Sequence, residues 1–265
     1  MPMSTDYTAT IPDSAGHIAY SSEEDAVSRD LVAQQHPNVE KYSARPYLDG
    51  LGKLDMPHNR VPQCADISEK LRDLTGWQVE PVPALIGFGR FFDMLANKTF
   101  PAACFIRNRK DFDYIEEPDI FHEIWGHTPL LTDPRFARFS QVIGETGLRA
   151  QKSDYVWLIR LYWFTIEFGL TIENGQHKAL GSGLASSPTE LPYAVQSPTA
   201  QRHAFDVLDI LRTPYRIDIH QPIYFVLENL DDLFAAADRD LLADVANAQS
   251  LGLFAPAYPP KQKAS

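Results

Sequence analysis

Cysteine is nearly missing from this chain: Cys64 and Cys104 are the only two in 265 residues. Two thiols build no disulfide framework, and a reducing compartment would keep both free. Positive charge is scarce too, with 24 lysines and arginines against 35 acidic residues and a formal net charge of −11. That balance argues against a surface for nucleic acid or anionic membrane and speaks for solubility. Long apolar runs are lacking. The stretch from Tyr155 is broken by Arg160 and Glu167 and is too short for a membrane span. No basic segment followed by an apolar core opens the chain, so no signal peptide is read there. Repeats, linkers and low-complexity blocks are lacking as well. The expectation is a soluble, cytoplasmic protein.

What is present can build a large core: 44% of residues are hydrophobic and 11% aromatic. The length is high for one domain but within range. Residues 1–20 read as a loose arm, 21–255 as the folded domain and 256–265 as a frayed tail. Ser22 to Asp25 has capping-box spacing and opens a helix that His36-Pro37 should end. Tyr47, Leu48, Leu51 and Leu54 recur at helical spacing, and Asp66 and Glu69 cap a short helix stopping at Gly76. Trp77 to Val82 reads as a strand and Phe100 to Arg107 as extended. Asp133-Pro134 starts a helix that Gly144 or Gly147 ends. Asn174-Gly175 is the strongest hairpin signal. Helices are expected over Ala200–Leu211 and Leu230–Leu251, and strands over Arg216–Ile219 and Ile223–Leu227. The fold class is therefore mainly α with small β-sheets and hairpins.

Chemistry concentrates in Asp119-Ile-Phe-His-Glu-Ile-Trp-Gly-His127. Imidazole is the commonest protein metal ligand, and two histidines in an apolar shell suggest a metal. Zinc hydrolases place their histidines at i and i+4. Here the separation is 127 − 122 = 5, about 140° around an ideal helix. Both rings can reach one ion only if the helix tightens or ends near Gly126. The alternative is a pair of core histidines bonded to backbone. Downstream, Tyr155 to Gly169 is apolar nearly all round, as in a buried helix, with Arg160 and Glu167 as its interior ionisable residues. A buried carboxylate needs a strong partner. For Glu167 this is either Arg160 or a cation held by His122 and His127. Two histidines and a carboxylate on one side of a metal match non-haem Fe(II) oxygenases.

Three ordered segments, Glu117 to His127, Leu161 to Leu170 and Gly181 to Ser187, together with Arg212 to Asp218, resemble the pterin-dependent aromatic amino acid hydroxylases. The likeness covers most of the chain from about residue 20. It implies a single catalytic domain of that family's kind and an Fe(II)- and tetrahydropterin-dependent monooxygenase. The implied reaction uses O2 to hydroxylate L-phenylalanine to L-tyrosine, the first step of phenylalanine catabolism. The resemblance implies His122, His127 and Glu167 as catalytic metal ligands. Around the substrate it places Arg107 as carboxylate clamp, oriented by Asp119, with Pro118, Trp163, Phe168, Gly183, Ser186 and Glu190. Around the pterin it places Phe91 as stacking ring, Leu85 and Ile86 at the edge, and Glu123, with Tyr162 as a further candidate. Trp163 is similar to phenylalanine and tyrosine hydroxylases, whereas tryptophan hydroxylases carry Phe there. Ile115 departs from the threonine of animal members, removing one hydroxyl from the pocket.

The resemblance further implies a monomer without substrate cooperativity, since the regulatory and tetramerisation segments of animal relatives have no counterpart. A pterin-recycling enzyme is a further expected partner. Rival readings are hydroxylation at another ring position or of tryptophan, a zinc hydrolase using Glu123 as base, and an inactive pterin-binding protein. The 122/127 spacing opposes the hydrolase, and the presence of all three ligand residues opposes the inactive protein.

Overall fold

Ser21 starts the first long helix. Its hydroxyl accepts from the Glu24 amide while the Glu24 carboxylate takes the Ser21 amide. This capping box lies one residue ahead of the expected one. The structure, a computed structural model, describes residue 7 and residues 10–83, 86–115 and 117–260. Leu85 and the tail beyond residue 260 lie outside the described residues, as does most of the first ten.

Helix α1 (Ser22–Tyr42) runs through Pro37 instead of ending at His36-Pro37. Proline deprives the carbonyl four residues back, that of Ala33, of a partner, but Ala33 and Pro37 both face solvent. Buried Leu31, Val32, Gln35, Val39 and Tyr42 anchor the helix on both sides of the proline. Helix α2 (Arg45–Leu54) follows, then α3 (Cys64–Thr75), which begins ahead of the expected Asp66 cap and closes at Gly76. Strand β1 (Gln78–Val82) pairs in parallel with β2 (Thr99–Ala103) across helix α4 (Phe88–Ala96). β2 is shorter than the expected extended run; a short 3-10 turn (Arg109–Asp111) follows it.

A π-helical segment, Phe121–His127, leads into α5 (Thr128–Leu131). Helix α6 (Pro134–Arg149) has the expected Asp133 cap but passes through Gly144 and Gly147. Those glycines serve packing. A Cβ on Gly144 would stand 2.3 Å from the Ala96 amide nitrogen, and one on Gly147 2.1 Å from the Phe92 ring. They let α4 lie directly against α6. Helix α7 (Tyr155–Tyr162) widens into a second π segment, Trp163–Glu167.

The Asn174-Gly175 turn, both residues at positive φ, joins β3 (Leu170–Glu173) to antiparallel β4 (Gln176–Ala179). Helices α8 (Ser182–Ala185) and α9 (Glu190–Gln196) come next. The expected helix from Ala200 divides into strand β5 (Gln201–Ala204) and helix α10 (Val207–Arg212), the latter capped by Asp206. Its first half is captured by parallel pairing with β6 (Ile223–Leu227), giving the sheet order β4-β3-β6-β5. Arg216–Ile219 is not a strand; Arg216 folds back on Asp218 at 2.7 Å. The last expected helix is two, α11 (Leu230–Ala236) and α12 (Leu241–Leu251), because the Asp240 side chain caps a fresh start. Trp77, Tyr47, Tyr224, Phe92 and Phe100 are among the largest fully buried side chains. The mainly helical class with small sheets is what the structure has. Among the described residues, no helix is long and apolar enough to cross a membrane.

Candidate active site and metal centre

The five-residue spacing of His122 and His127 is resolved by backbone geometry, in the opposite sense to the expected tightening. The segment carrying them widens to π-helix. A π turn bonds i to i+5, so residues five apart come nearly into line. The two Nε2 atoms stand 3.3 Å apart. The second π segment does the same for the third group: the Phe168 amide donates to the Trp163 carbonyl at 2.8 Å, and Glu167 turns toward the histidines. Its carboxylate oxygens lie 3.4 Å from His122 Nε2 and 3.0 Å from His127 Nε2. Arg160, the other candidate partner, instead lies over the Trp157 ring at 4.7 Å, because the change of helix type breaks its seven-residue alignment with Glu167.

Two imidazole nitrogens 3.3 Å apart, each within 3.0 to 3.4 Å of one oxygen of the same carboxylate, fit one metal ion. Adjacent ligands about 2.1 Å from a common centre and at right angles are about 3.0 Å from each other. Two neutral imidazoles and a carboxylate are also the donor set that suits iron. Glu123 is a second carboxylate in reach, with one ligand atom from each of His122, Glu123 and His127 falling within 4.8 Å. It stands farther off, 3.9 Å from His127 Nε2.

Electrostatics separate the two carboxylates. Burial alone would raise the Glu167 carboxyl, but the His127 and His122 imidazoles and a hydrogen bond from Ser182 hold its pKa at about 2. Burial, with Glu167 and Asp119 nearby, pushes the Glu123 carboxyl well above the usual range. Burial lowers His122 to about 4 against the pull of Glu167, which keeps it neutral and able to ligate.

Helix α8 supports the cluster. Ser182 Oγ reaches Glu167 Oε2 at 2.7 Å and His127 Nε2 at 3.2 Å. Ser186 Oγ lies 2.8 Å from His122 Nδ1. A Cβ on Gly183 would meet Glu167 Oε1 at 2.7 Å and the Phe168 ring at 2.8 Å, so this position admits no side chain without displacing both.

Arg107 and Asp119 form a buried bidentate pair at 2.7 and 3.0 Å, and Asp119 also accepts from the Arg107 and His122 amides. The carboxylate is held low despite complete burial. Asp119 thus takes the Nε–Nη2 edge of the guanidinium and leaves the Nη1 side, which among the described residues approaches the Phe112 carbonyl at 3.5 Å. Trp163 stacks on Tyr215 at 4.3 Å and meets Phe168 at a tilt at 4.6 Å. Glu190 is buried behind them, accepting from the Gln221 amide and the Tyr224 hydroxyl, both at 2.7 Å. Burial raises its pKa to about 7 despite those bonds.

On the other side, Phe91 meets Tyr162 edge-on at 5.6 Å, and Tyr162 lies parallel to the His127 ring at 6.4 Å. Phe91 is half-buried and packed against the core, Ile86 is half-buried, and Leu85 is not described. Pro118 and Ile115 are half-buried on the loop leading to Asp119. Sequence reading missed Ser182, Gln221 and Tyr224. Ser182 could have been suspected as a hydroxyl in a run of small residues otherwise apolar; Gln221 and Tyr224 carry no local signal.

Residues 4–241 match the family described as biopterin-dependent aromatic amino acid hydroxylase. A phenylalanine-4-hydroxylase of Pseudomonas aeruginosa is 49% identical over 261 residues, covering 98% of this chain and 99% of the relative. The apo structure of the cold-active phenylalanine hydroxylase of Colwellia psychrerythraea superposes with a TM-score of 0.93 at 46% identity, covering 98% of this chain and 100% of that one. The Chromobacterium violaceum phenylalanine hydroxylase with bound Fe(III) superposes with a TM-score of 0.87 at 33% identity, over 95% and 94% of the two chains. With the metal-binding geometry and this similarity along nearly its whole length, the chain belongs to the biopterin-dependent aromatic amino acid hydroxylases.

Proposed function

We propose that this protein hydroxylates L-phenylalanine at the para carbon to L-tyrosine, using O2, Fe(II) and a tetrahydropterin. The observation that carries the reading is the convergence of His122, His127 and Glu167 within 3.0 to 3.4 Å. These three residues would hold the iron. Iron and reduced pterin together supply the activation of O2, one oxygen atom going to the ring and the other to the pterin.

The chain's own residues orient and shield. Arg107, fixed by Asp119, presents its remaining guanidinium edge to the substrate carboxylate. Trp163 and Phe168 wall the ring, Gly183 leaves it room, and Glu190 faces the polar end. Pro118 closes the loop side. Phe91 stacks on the pterin; Ile86 and Leu85 line its edge, Glu123 bonds it directly or through water, and Tyr162 backs both pterin and His127. Holding the ring and pterin against one centre is catalysis by orientation. The reaction opens phenylalanine catabolism in the cytoplasm. The enzyme acts as a monomer and relies on a partner enzyme to recycle the pterin.

Incubation of the Fe(II)-loaded protein with L-phenylalanine and tetrahydropterin under O2 tests the reading. Tyrosine formed in step with pterin oxidation is expected. No product, a meta- or ortho-hydroxylated ring, or preferential turnover of tryptophan would overturn it.

A further inference from the structure

Gln221 lies outside every motif discussed above, yet it joins two walls of the site. It is 1% exposed. Its main-chain N–H donates to Glu190 Oε1 at 2.7 Å, beside the Tyr224 hydroxyl that donates to the same oxygen at 2.7 Å. Its side-chain Oε1 accepts from the indole Nε1–H of Trp163 at 3.2 Å. Its Nε2 donates to the carbonyls of Arg216 at 2.7 Å and Ile219 at 3.2 Å.

This network fixes which way the amide points. Two carbonyls on one side require the NH2, and the indole N–H on the other requires the oxygen. Among the described residues, the Trp163 ring also stacks on Tyr215 and meets Phe168 at a tilt. Apolar contact is non-directional, so ring neighbours alone leave the indole free to shift in its own plane, whereas a hydrogen bond has a preferred direction. One hydrogen bond at the ring edge removes that freedom.

We propose that Gln221 is a positioning residue for the aromatic substrate: it locks Trp163 in its plane and ties it to the Glu190 carboxyl, so that ring wall and polar end move as one unit. The proposal rests on the reading that Trp163 walls the ring site. The rival is that Gln221 merely braces the 216–221 loop through its two carbonyl contacts.

A double-mutant cycle separates them. The Kd of L-phenylalanine is measured by calorimetry on the anaerobic Fe(II)-loaded enzyme, alongside tyrosine formed per pterin oxidised. Gln221→Met keeps length and volume but removes both the acceptor and the NH2 donor, which is why the Trp163→Phe background is needed to isolate the acceptor. Q221M should weaken phenylalanine binding by about three- to tenfold, the worth of one neutral hydrogen bond, and lower the coupling ratio. In a Trp163→Phe background, with no N–H to hold, the same change should cost less than about twofold, since partners in one contact are not additive. A full, additive loss in that background would overturn the proposal in favour of the loop brace, as would an unchanged Kd for Q221M alone. If W163F itself leaves phenylalanine binding unchanged, both the ring-wall reading and the proposal fall. If Q221M does not fold, Gln221→Glu decides. It keeps an oxygen for the indole but not the NH2 for the carbonyls. Near-normal phenylalanine binding with a lowered Tm supports the acceptor role, and binding weakened as in W163F overturns it.

Discussion

Glu167 and Glu190 are withdrawn from solvent to nearly the same degree, 9% and 7% exposed, yet their protons are held very differently. Burial opposes ionisation at both. At Glu167 two imidazoles and a hydroxyl reverse it, bringing the pKa to about 2. At Glu190 the partners are a backbone amide and a phenol, and the pKa rises to about 7. A backbone amide and a phenol do not offset the loss of water at Glu190, whereas the two imidazoles and the Ser182 hydroxyl do so at Glu167. The first environment is built for a permanent anion facing a cation. The second is built for a group that is neutral or charged according to what binds beside it, such as the ammonium of an amino acid.

Removing the anion should have the largest effect. Glu167→Ala is expected to abolish iron-dependent turnover while the fold persists, because the carboxylate contributes a metal ligand and its surroundings relax into the space. Iron content by metal analysis, read beside circular dichroism, checks this. A folded variant with full iron and activity would show that Glu167 is not a ligand.

A third carboxylate extends the comparison: Asp119, fully buried but bound by Arg107 at two points, stays charged. Arg107→Lys should lower kcat/KM for phenylalanine roughly tenfold to 150-fold, from about 1.5–3 kcal/mol of charge-assisted contact that an ammonium cannot reproduce. Iron content should change little. If Arg107 served only Asp119, Tm would fall while KM for phenylalanine stayed nearly normal.

Side-chain chemistry alone made His122, His127 and Glu167 a candidate metal set with bland alternatives still open, and Arg107 entered through the family resemblance. Their backbone was not legible in the sequence. A π turn differs from an α turn by one residue, and packing of α8 against both π segments, not periodicity, selects it. For the same reason the alignment of Arg160 with Glu167 failed. Ser182 and Gln221 are neutral polar residues whose roles exist only once distant segments meet. Strand β5, read as helix, is four mostly polar residues whose state is decided by pairing with β6 some twenty residues on. Pro37 was read by its local rule, and tertiary anchoring of α1 overrode it. Fold class survived these errors because it depends on the sum of apolar faces and not on single boundaries.

Glu190→Gln sharpens the contrast at the second carboxylate. The native pKa, about 7, lies above the ordinary 4.5. Between those values the native state therefore holds more protons than the unfolded chain. Stability falls as pH rises through this window, and the loss is complete above about pH 7. The loss is roughly 3 to 4 kcal/mol at most, at about 1.4 kcal/mol per tenfold. E190Q should abolish this term while still accepting from Gln221 and Tyr224. Melting temperatures at pH 5 and pH 8, in one metal state, should show the wild type declining more than the variant. Parallel declines would mean that Glu190 is ionised throughout.

Ser186 tests whether the ligands themselves are held by neutral donors, and its effect should be the smallest. Its hydroxyl donates to the Ser182 carbonyl at 3.0 Å, which leaves its oxygen to accept from His122 Nδ1 at 2.8 Å. That arrangement puts the imidazole hydrogen on Nδ1 and frees the Nε2 lone pair for metal. Ser186→Ala removes the acceptor without adding bulk. Iron affinity should drop about tenfold, the low end for loss of such a partner. With iron saturating, KM for phenylalanine should stay close to that of the wild type. If Ser186 instead contacts the substrate, as the family resemblance implies, KM rises and iron affinity does not change. Chelator competition for iron, with phenylalanine KM at saturating iron on the same preparation, separates the two roles, and Ser186→Thr, which keeps the hydroxyl, should restore iron affinity only under the first.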